Sequence, residues 1–185
     1  MKYSYIPQKP YCCVPACVQM ILKRRNLPTL SQDMIAYDFG IILPSKDRHL
    51  LSKSYIGAKP KSGWGTRINI KKYSLTEFFS RHKYFLKEKF YSAEKFLTVE
   101  KFREFLLEEI KMGDDLLICF NYPLLYHIEG DWGHASLIED VKGDSVILRD
   151  PDPKYKNTRK VLLNDLLNAL KSHYKGGIWV VGGNN

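Results

Sequence analysis

The sequence contains no long hydrophobic run. Its longest uncharged stretches, Pro10 to Leu22 and Leu116 to Ile128, fall short of the roughly 20 apolar residues that a membrane-spanning helix requires. The N-terminal segment Met-Lys-Tyr-Ser-Tyr-Ile-Pro also lacks the apolar core of a secretory signal. We therefore expect no membrane span and a cytoplasmic protein.

The 185-residue chain also lacks a linker, because no Pro/Gly/Ser-rich tract, internal repeat or low-complexity stretch interrupts it. A chain of this length is typical of one domain. Hydrophobic residues make up 44% of the sequence and aromatic residues 13%, which supplies a core and excludes intrinsic disorder. We expect a single domain over residues 1–185.

Charge of one sign is in excess, but it is not organised. Lysine and arginine number 29 against 20 aspartates and glutamates, so the net charge is +9. Such a charge attracts nucleic acid or anionic surfaces without specificity. The basic residues are scattered, and no nucleic-acid-binding motif of known spacing accompanies them. We expect a solvated basic face and no specific nucleic-acid partner.

The order of the predicted elements favours an α+β fold. Apolar periodicity and capping residues predict mainly helices in the first part of the chain and mainly strands after the stop at Gly113. The expected architecture is a helical lobe, about residues 1–113, packed on an antiparallel sheet, about residues 114–185. The main predicted helices are 13–25, a short one ending near 40, 74–82, 98–112 and 163–170, and the predicted strands are 84–91, 116–121, 133–141, 145–150 and 177–181. Between the early helices lies an irregular, Gly- and Pro-containing segment, 41–66, of the kind that is often functional.

The cysteines point to thiol chemistry. Cys12, Cys13 and Cys17 are crowded and Cys119 is isolated, which suits neither a disulfide framework nor a zinc pattern, so we expect no metal and no cofactor. A cysteine is nucleophilic only as its thiolate, and Cys13 stands at the start of a predicted helix, where backbone N–H groups favour negative charge. The alternative is that these cysteines are small buried hydrophobic residues.

Histidine strengthens the case for catalysis, because a thiol nucleophile needs an imidazole to accept and return its proton. His134 opens a predicted strand, and Asp150 ends the next strand of the same predicted hairpin, which turns at Gly143. Antiparallel pairing brings the start of one strand beside the end of its partner, so Asp150 can orient His134. Gln8, upstream of Cys13, can donate a side-chain amide hydrogen bond to a developing oxyanion.

These residues resemble a known family. Gln8, then Cys-Val-Pro-Ala-Cys-Val-Gln-Met at 13–20, Gly-His-Ala-Ser-Leu-Ile-Glu-Asp-Val at 133–141 and Val-Ile-Leu-Arg-Asp-Pro at 146–151 are similar to the bacteriocin-processing, double-glycine-leader branch of the papain-like cysteine peptidases. The resemblance implies a papain-like fold in which Cys13 is the nucleophile, Gln8 the oxyanion donor, His134 the base and Asp150 its orienting partner. The chain departs from the family pattern in having Val14 where a glycine is usual. Members that cleave exported leader peptides are usually fused to a membrane transporter, and we expect no such part here.

The resemblance implies a thiol peptidase that acts on a peptide or protein substrate. Two alternatives stay open: an acyltransferase or transpeptidase with the same nucleophile, and a catalytically silent peptide-binding module on the same fold. By position in a papain-like layout, we expect Trp64 to line one wall of the substrate cleft, and Tyr126 and Trp132 to line the other. The oligomeric state is left open.

Overall fold

A six-stranded antiparallel sheet forms the centre of the molecule. The computed structural model describes residues 2–61, 63–154 and 158–183. The strands are β1 (Leu86–Ser92), β2 (Asp115–Asn121), β3 (Gly133–Lys142), β4 (Ser145–Arg149), β5 (Thr158–Leu162) and β6 (Gly177–Gly183), arranged in the order β1-β6-β2-β3-β4-β5. The helices are α1 (Cys13–Arg24), α2 (Gln32–Asp38), α3 (Leu75–Arg81), α4 (Val99–Met112), α5 (Tyr122–Tyr126) and α6 (Leu163–Ser172), with short 3₁₀ turns at Ser45–Leu50, Lys71–Tyr73 and Ala93–Lys95.

Both faces of the sheet are covered, because the central strands carry apolar side chains on each face. Side chains alternate between the faces along a strand, so Leu117 of β2 packs with α1, α2 and α3, while Leu116 and Ile118 pack with α4 and α6. The α+β class and the antiparallel sheet are confirmed. The sheet also includes β1, which lies before the expected lobe boundary near residue 113 and pairs with β6 along its whole length.

Helix caps explain most of the helix boundaries. Ser74 accepts a hydrogen bond from the Glu77 N–H and starts α3, while Gly113 ends α4 in the left-handed conformation with φ of 84°. The second helix begins after Ser31, whose hydroxyl accepts a hydrogen bond from the Met34 N–H. The hairpin turn at Gly143, with φ of 58°, is confirmed between β3 and β4.

An ion-pair cluster fixes the far end of α1 against the sheet. Asp115, which is fully buried at the start of β2, accepts hydrogen bonds from Arg24 Nε and Arg25 Nε at 2.5 Å each. Arg25 also donates to the Val181 carbonyl at 2.8 Å. With its C-terminal end held in this way, α1 runs across the sheet and presents its N-terminus at the opposite end.

Candidate active site

The N-terminus of α1 delivers a thiol into a cleft. Cys13 is the first residue of the helix, whose first turn contains no acidic side chain and whose N-cap, Cys12, makes no side-chain capping bond. Cys13 is partly buried and lines a cavity of about 670 Å³. Anions are favoured at a helix N-terminus, so this position suits a thiolate.

The β3–β4 hairpin brings the predicted imidazole and carboxylate together. His134 lies at the start of β3, and Asp150 directly follows the end of β4. The two strands are antiparallel, and Leu137 of β3 pairs with Arg149, the last residue of β4, so these two ends lie side by side. His134 Nε2 and Asp150 Oδ1 are 2.7 Å apart, and the two residues are 7% and 0% exposed. The Cys13 side chain lines the same cleft and is close enough to raise the pKa of the His134 imidazole. Since Nε2 is engaged by Asp150, Nδ1 is the ring nitrogen that remains for the sulfur.

The electrostatics of this row favour an ion pair. Burial lowers the pKa of His134, but the hydrogen bond and charge of Asp150, together with the nearby Cys13 side chain, outweigh it and raise that pKa to about 10. Burial raises the pKa of Asp150, yet its bonds to His134 and to the Asp152 N–H, together with the charge of Arg159, lower it below the usual value. At neutral pH the pair is therefore imidazolium and carboxylate, and an imidazolium beside sulfur stabilises a thiolate.

The other three cysteines differ from Cys13 in their surroundings. Burial, followed by the charge of Cys13, raises the pKa of Cys12 to about 12. The same causes raise the pKa values of Cys17 and Cys119 well above the ordinary value. The Cys17 thiol is buried and lies 3.7 Å from the Ala135 carbonyl oxygen, to which it donates. These three thiols are neutral at physiological pH and make poor nucleophiles.

Gln8 also lines the cleft. Its backbone N–H donates to the Pro151 carbonyl at 2.8 Å, which ties the N-terminal segment to the residue after Asp150. Its side-chain Oε1 is buried and has no hydrogen-bond partner within the part of the chain that the structure describes.

The three aromatic residues predicted to form the walls all line the cleft. Trp64 comes from the 41–66 segment, which is pinned by backbone bonds between Ile42 and Gly65 at 3.0 Å. Trp132 is 47% exposed and stacks on Tyr122, with ring centroids 5.9 Å apart. Tyr126 also has a second contact, because its hydroxyl lies 3.3 Å from Asp150 Oδ2. Val14, the second residue of α1, also lines the cleft, although it is only 3% exposed and packs in the hydrophobic core.

Sequence reasoning missed other residues of the cleft. His173, at the end of α6, lies against Gly133, where any added Cβ would collide with the imidazole ring. Arg159 enters from β5, an edge strand whose Thr-Arg-Lys-Val-Leu sequence carries too few apolar residues to stand out. Trp179 of β6 lies in an apolar stretch that predicts a core residue; in the structure it packs in the core and also lines the cleft. No local signal distinguishes these residues, because sheet order brings Arg159 and Trp179 to the cleft and the end of α6 brings His173.

Within residues 2–61, 63–154 and 158–183, no group of three or more His, Cys, Asp or Glu side chains could hold a metal ion. None of the helices described there is both long and apolar enough to cross a membrane.

The fold is that of the papain-like cysteine peptidases of the C39 type, which confirms the resemblance at the level of the fold. One similar solved structure is the peptidase domain of Streptococcus ComA, a bi-functional ABC transporter involved in a quorum-sensing pathway; it has 16% identity and a TM-score of 0.55, and covers 99% of this chain and 100% of that one. Another is a C39-like peptidase from Bacillus anthracis, with 14% identity and a TM-score of 0.63, covering 100% of this chain and 96% of that one. No protein-family model and no curated protein matches the sequence.

Proposed function

We propose that the protein is a thiol hydrolase that cleaves peptide bonds through Cys13, His134 and Asp150. The observation that carries the proposal is the meeting of three side chains at one cleft: the His134 imidazole and the Asp150 carboxylate are 2.7 Å apart, and Cys13 lines the same cleft, close enough to raise the pKa of His134. The fold of the two solved structures supports the peptidase class.

The first half of the reaction forms an acyl-enzyme. The Cys13 thiolate attacks the scissile carbonyl carbon, and the carbonyl oxygen becomes an oxyanion. We assign its stabilisation to the Gln8 side-chain amide and the Cys13 backbone N–H. The His134 imidazolium then protonates the leaving amine as the C–N bond breaks, which leaves a thioester and a neutral imidazole.

The second half reverses these roles. Neutral His134 accepts a proton from water, the resulting hydroxide attacks the thioester carbonyl, and Cys13 leaves as the thiolate. The products are a carboxylic acid and the restored thiolate–imidazolium pair. Throughout, Asp150 holds Nε2 of the imidazole, so that Nδ1 stays directed at the sulfur and the substrate.

The test combines alkylation with digestion of a peptide library. Iodoacetamide at pH 5.5 is expected to label Cys13 rapidly and the other three cysteines slowly, as read by peptide mass spectrometry. Wild-type protein is expected to cleave peptides of a casein digest, and Cys13→Ala is expected to lose this activity while staying folded. Cys17→Ala, which removes a buried thiol outside the cleft, is the matched control. Equally slow labelling of all four cysteines would contradict the proposal.

Acyl transfer starts from the same thioester, so one further measurement separates it from hydrolysis. Hydroxylamine or glycinamide is added to the digestion, and the products are divided by mass into acids and amides. We expect acids to dominate without added amine. Amide products that dominate at millimolar amine would assign the protein to the acyltransferases instead.

A further inference from the structure

Two side chains outside the proposed catalytic row contact or influence its carboxylate. Asp150 is fully buried, and its Oδ1 accepts hydrogen bonds from His134 Nε2 at 2.7 Å and from the Asp152 N–H at 2.9 Å. Its other oxygen, Oδ2, lies 3.3 Å from the Tyr126 hydroxyl, which donates to it. Three donors therefore satisfy both oxygens of a carboxylate that water does not reach.

Arg159 supports this arrangement from the neighbouring strand. Its guanidinium carbon lies 3.5 Å from the centroid of the Tyr126 ring, so the cation stacks on the ring whose hydroxyl contacts Asp150. The position is set by strand register, because Arg159 pairs with Leu148, two residues before Asp150. Burial raises the pKa of Asp150, and the charge of Arg159 joins the bonds from His134 and the Asp152 N–H in lowering it. Burial, followed by the charge of the carboxylate, raises the pKa of Tyr126 and keeps its hydroxyl protonated as a donor.

We propose that Tyr126 and Arg159 are positioning residues that keep the Asp150 carboxylate ionised and aimed at His134, and that they thereby set the acid limit of reactivity at Cys13. The proposal rests on the function proposed above and adds control of its pH range. Without these residues, burial of Asp150 favours the protonated carboxyl at acid pH, where His134 is still an imidazolium, and the neutral carboxyl holds the imidazole less firmly beside Cys13. Two charged side chains change the pKa of Asp150, namely His134 and Arg159. The charge of Asp150 in turn raises the pKa values of Tyr126, Tyr5 and Cys17, and Asp152 lies next to it.

The experiment measures the rate of iodoacetamide labelling at Cys13 from pH 3.5 to 9 in full-length protein. Arg159→Gln is expected to move the acid-side midpoint of the rate upward by about one pH unit. Tyr126→Phe keeps the stacked ring and removes only the donor, so a smaller upward shift is expected. Arg159→Lys keeps the charge and is expected to restore most of the wild-type profile. Tyr84→Phe, which loses a hydroxyl bond to the Pro28 carbonyl far from the cleft, is the control.

The outcomes separate this proposal from the proposed function. Slow labelling of wild-type Cys13 at every pH overturns both. Fast wild-type labelling with unchanged midpoints in Arg159→Gln and Tyr126→Phe overturns the positioning role alone. A uniform fall in rate without a shift of the midpoint also overturns it, because a merely structural role acts equally at all pH values. Should Arg159→Gln fail to fold, as judged by circular dichroism, the midpoint of Tyr126→Phe decides.

Discussion

Replacing Asp150 with asparagine removes the charge that holds His134 in its imidazolium form while keeping the size of the side chain. In the wild type, the pKa of His134 is raised to about 10, and Asp150 provides both a hydrogen bond and a charge toward that value. In Asp150→Asn the burial of the ring is no longer offset by the carboxylate. The pKa of His134 is therefore expected to fall toward its ordinary range near ~6.5.

The consequence is a loss of reactivity that grows across neutral pH. Each pKa unit changes the ratio of imidazolium to imidazole by about tenfold, so at pH 7 most of the stabilising imidazolium is already lost in the variant. An ordinary thiol is only a few per cent ionised at that pH, so we expect labelling of Cys13 at pH 7 to slow by about tenfold, and peptide cleavage to fall by about a hundredfold or more. Alkylation followed by mass spectrometry measures the first, and digestion of the casein peptides measures the second.

Stability gives a second readout with a defined sign. The raised pKa of His134 means that its contribution to stability is complete below about pH 6.5, its unfolded value, and is lost as the pH rises through about 10. The lowered pKa of Asp150 means that its contribution is present above about pH 4 and is lost as the pH falls further. The difference in unfolding free energy between wild type and Asp150→Asn should therefore shrink as the pH is raised from about 6.5 to about 10.

The control is Asp144→Asn, which removes the same charge from an exposed hairpin turn. Its labelling profile and its urea unfolding should follow the wild type at every pH. If Asp150→Asn also kept the wild-type labelling profile, and its unfolding free energy ran parallel to that of the wild type from pH 6.5 to 10, the assigned ion pair would be refuted.

Three further results are expected. Alanine at Trp64 or Trp132 should raise the KM for a cleaved peptide by about fivefold at nearly constant kcat, since an aromatic contact buried by the substrate contributes about 1 kcal/mol; an unchanged KM would remove these residues from the substrate cleft. Asp115→Asn should lower the free energy of unfolding in urea by about 3 kcal/mol. This value is near the low end for a broken buried ion pair, because the two arginine partners keep about one-fifth of their side-chain surface in water. A loss below measurement error would contradict the argument from burial. Gly133→Ala should destabilise by about 1–3 kcal/mol through its collision with His173, and the double variant with His173→Ala should recover most of the loss in thermal melts.

Local signals predicted much of this molecule. The apolar pattern and the caps placed α1, α3 and α4 close to their observed bounds, and the turn at Gly143 identified the hairpin. Elements with weak local signals escaped detection. The edge strand β5 is largely polar, and α5 is a five-residue helix containing a proline, so neither carries a periodic apolar pattern.

The sequence by itself determined the chemistry available: a cysteine at a helix start, and a histidine and an aspartate whose proximity follows from one hairpin, since neighbours in an antiparallel pair are set by local register. Only the tertiary structure decided that the N-terminus of α1 meets the start of β3 from more than a hundred residues away, and that Arg159 and His173 share the same cleft. The physical reason is that such meetings depend on strand order and on which face of the sheet each helix covers. These are properties of long-range packing, and no local pattern of residues records them.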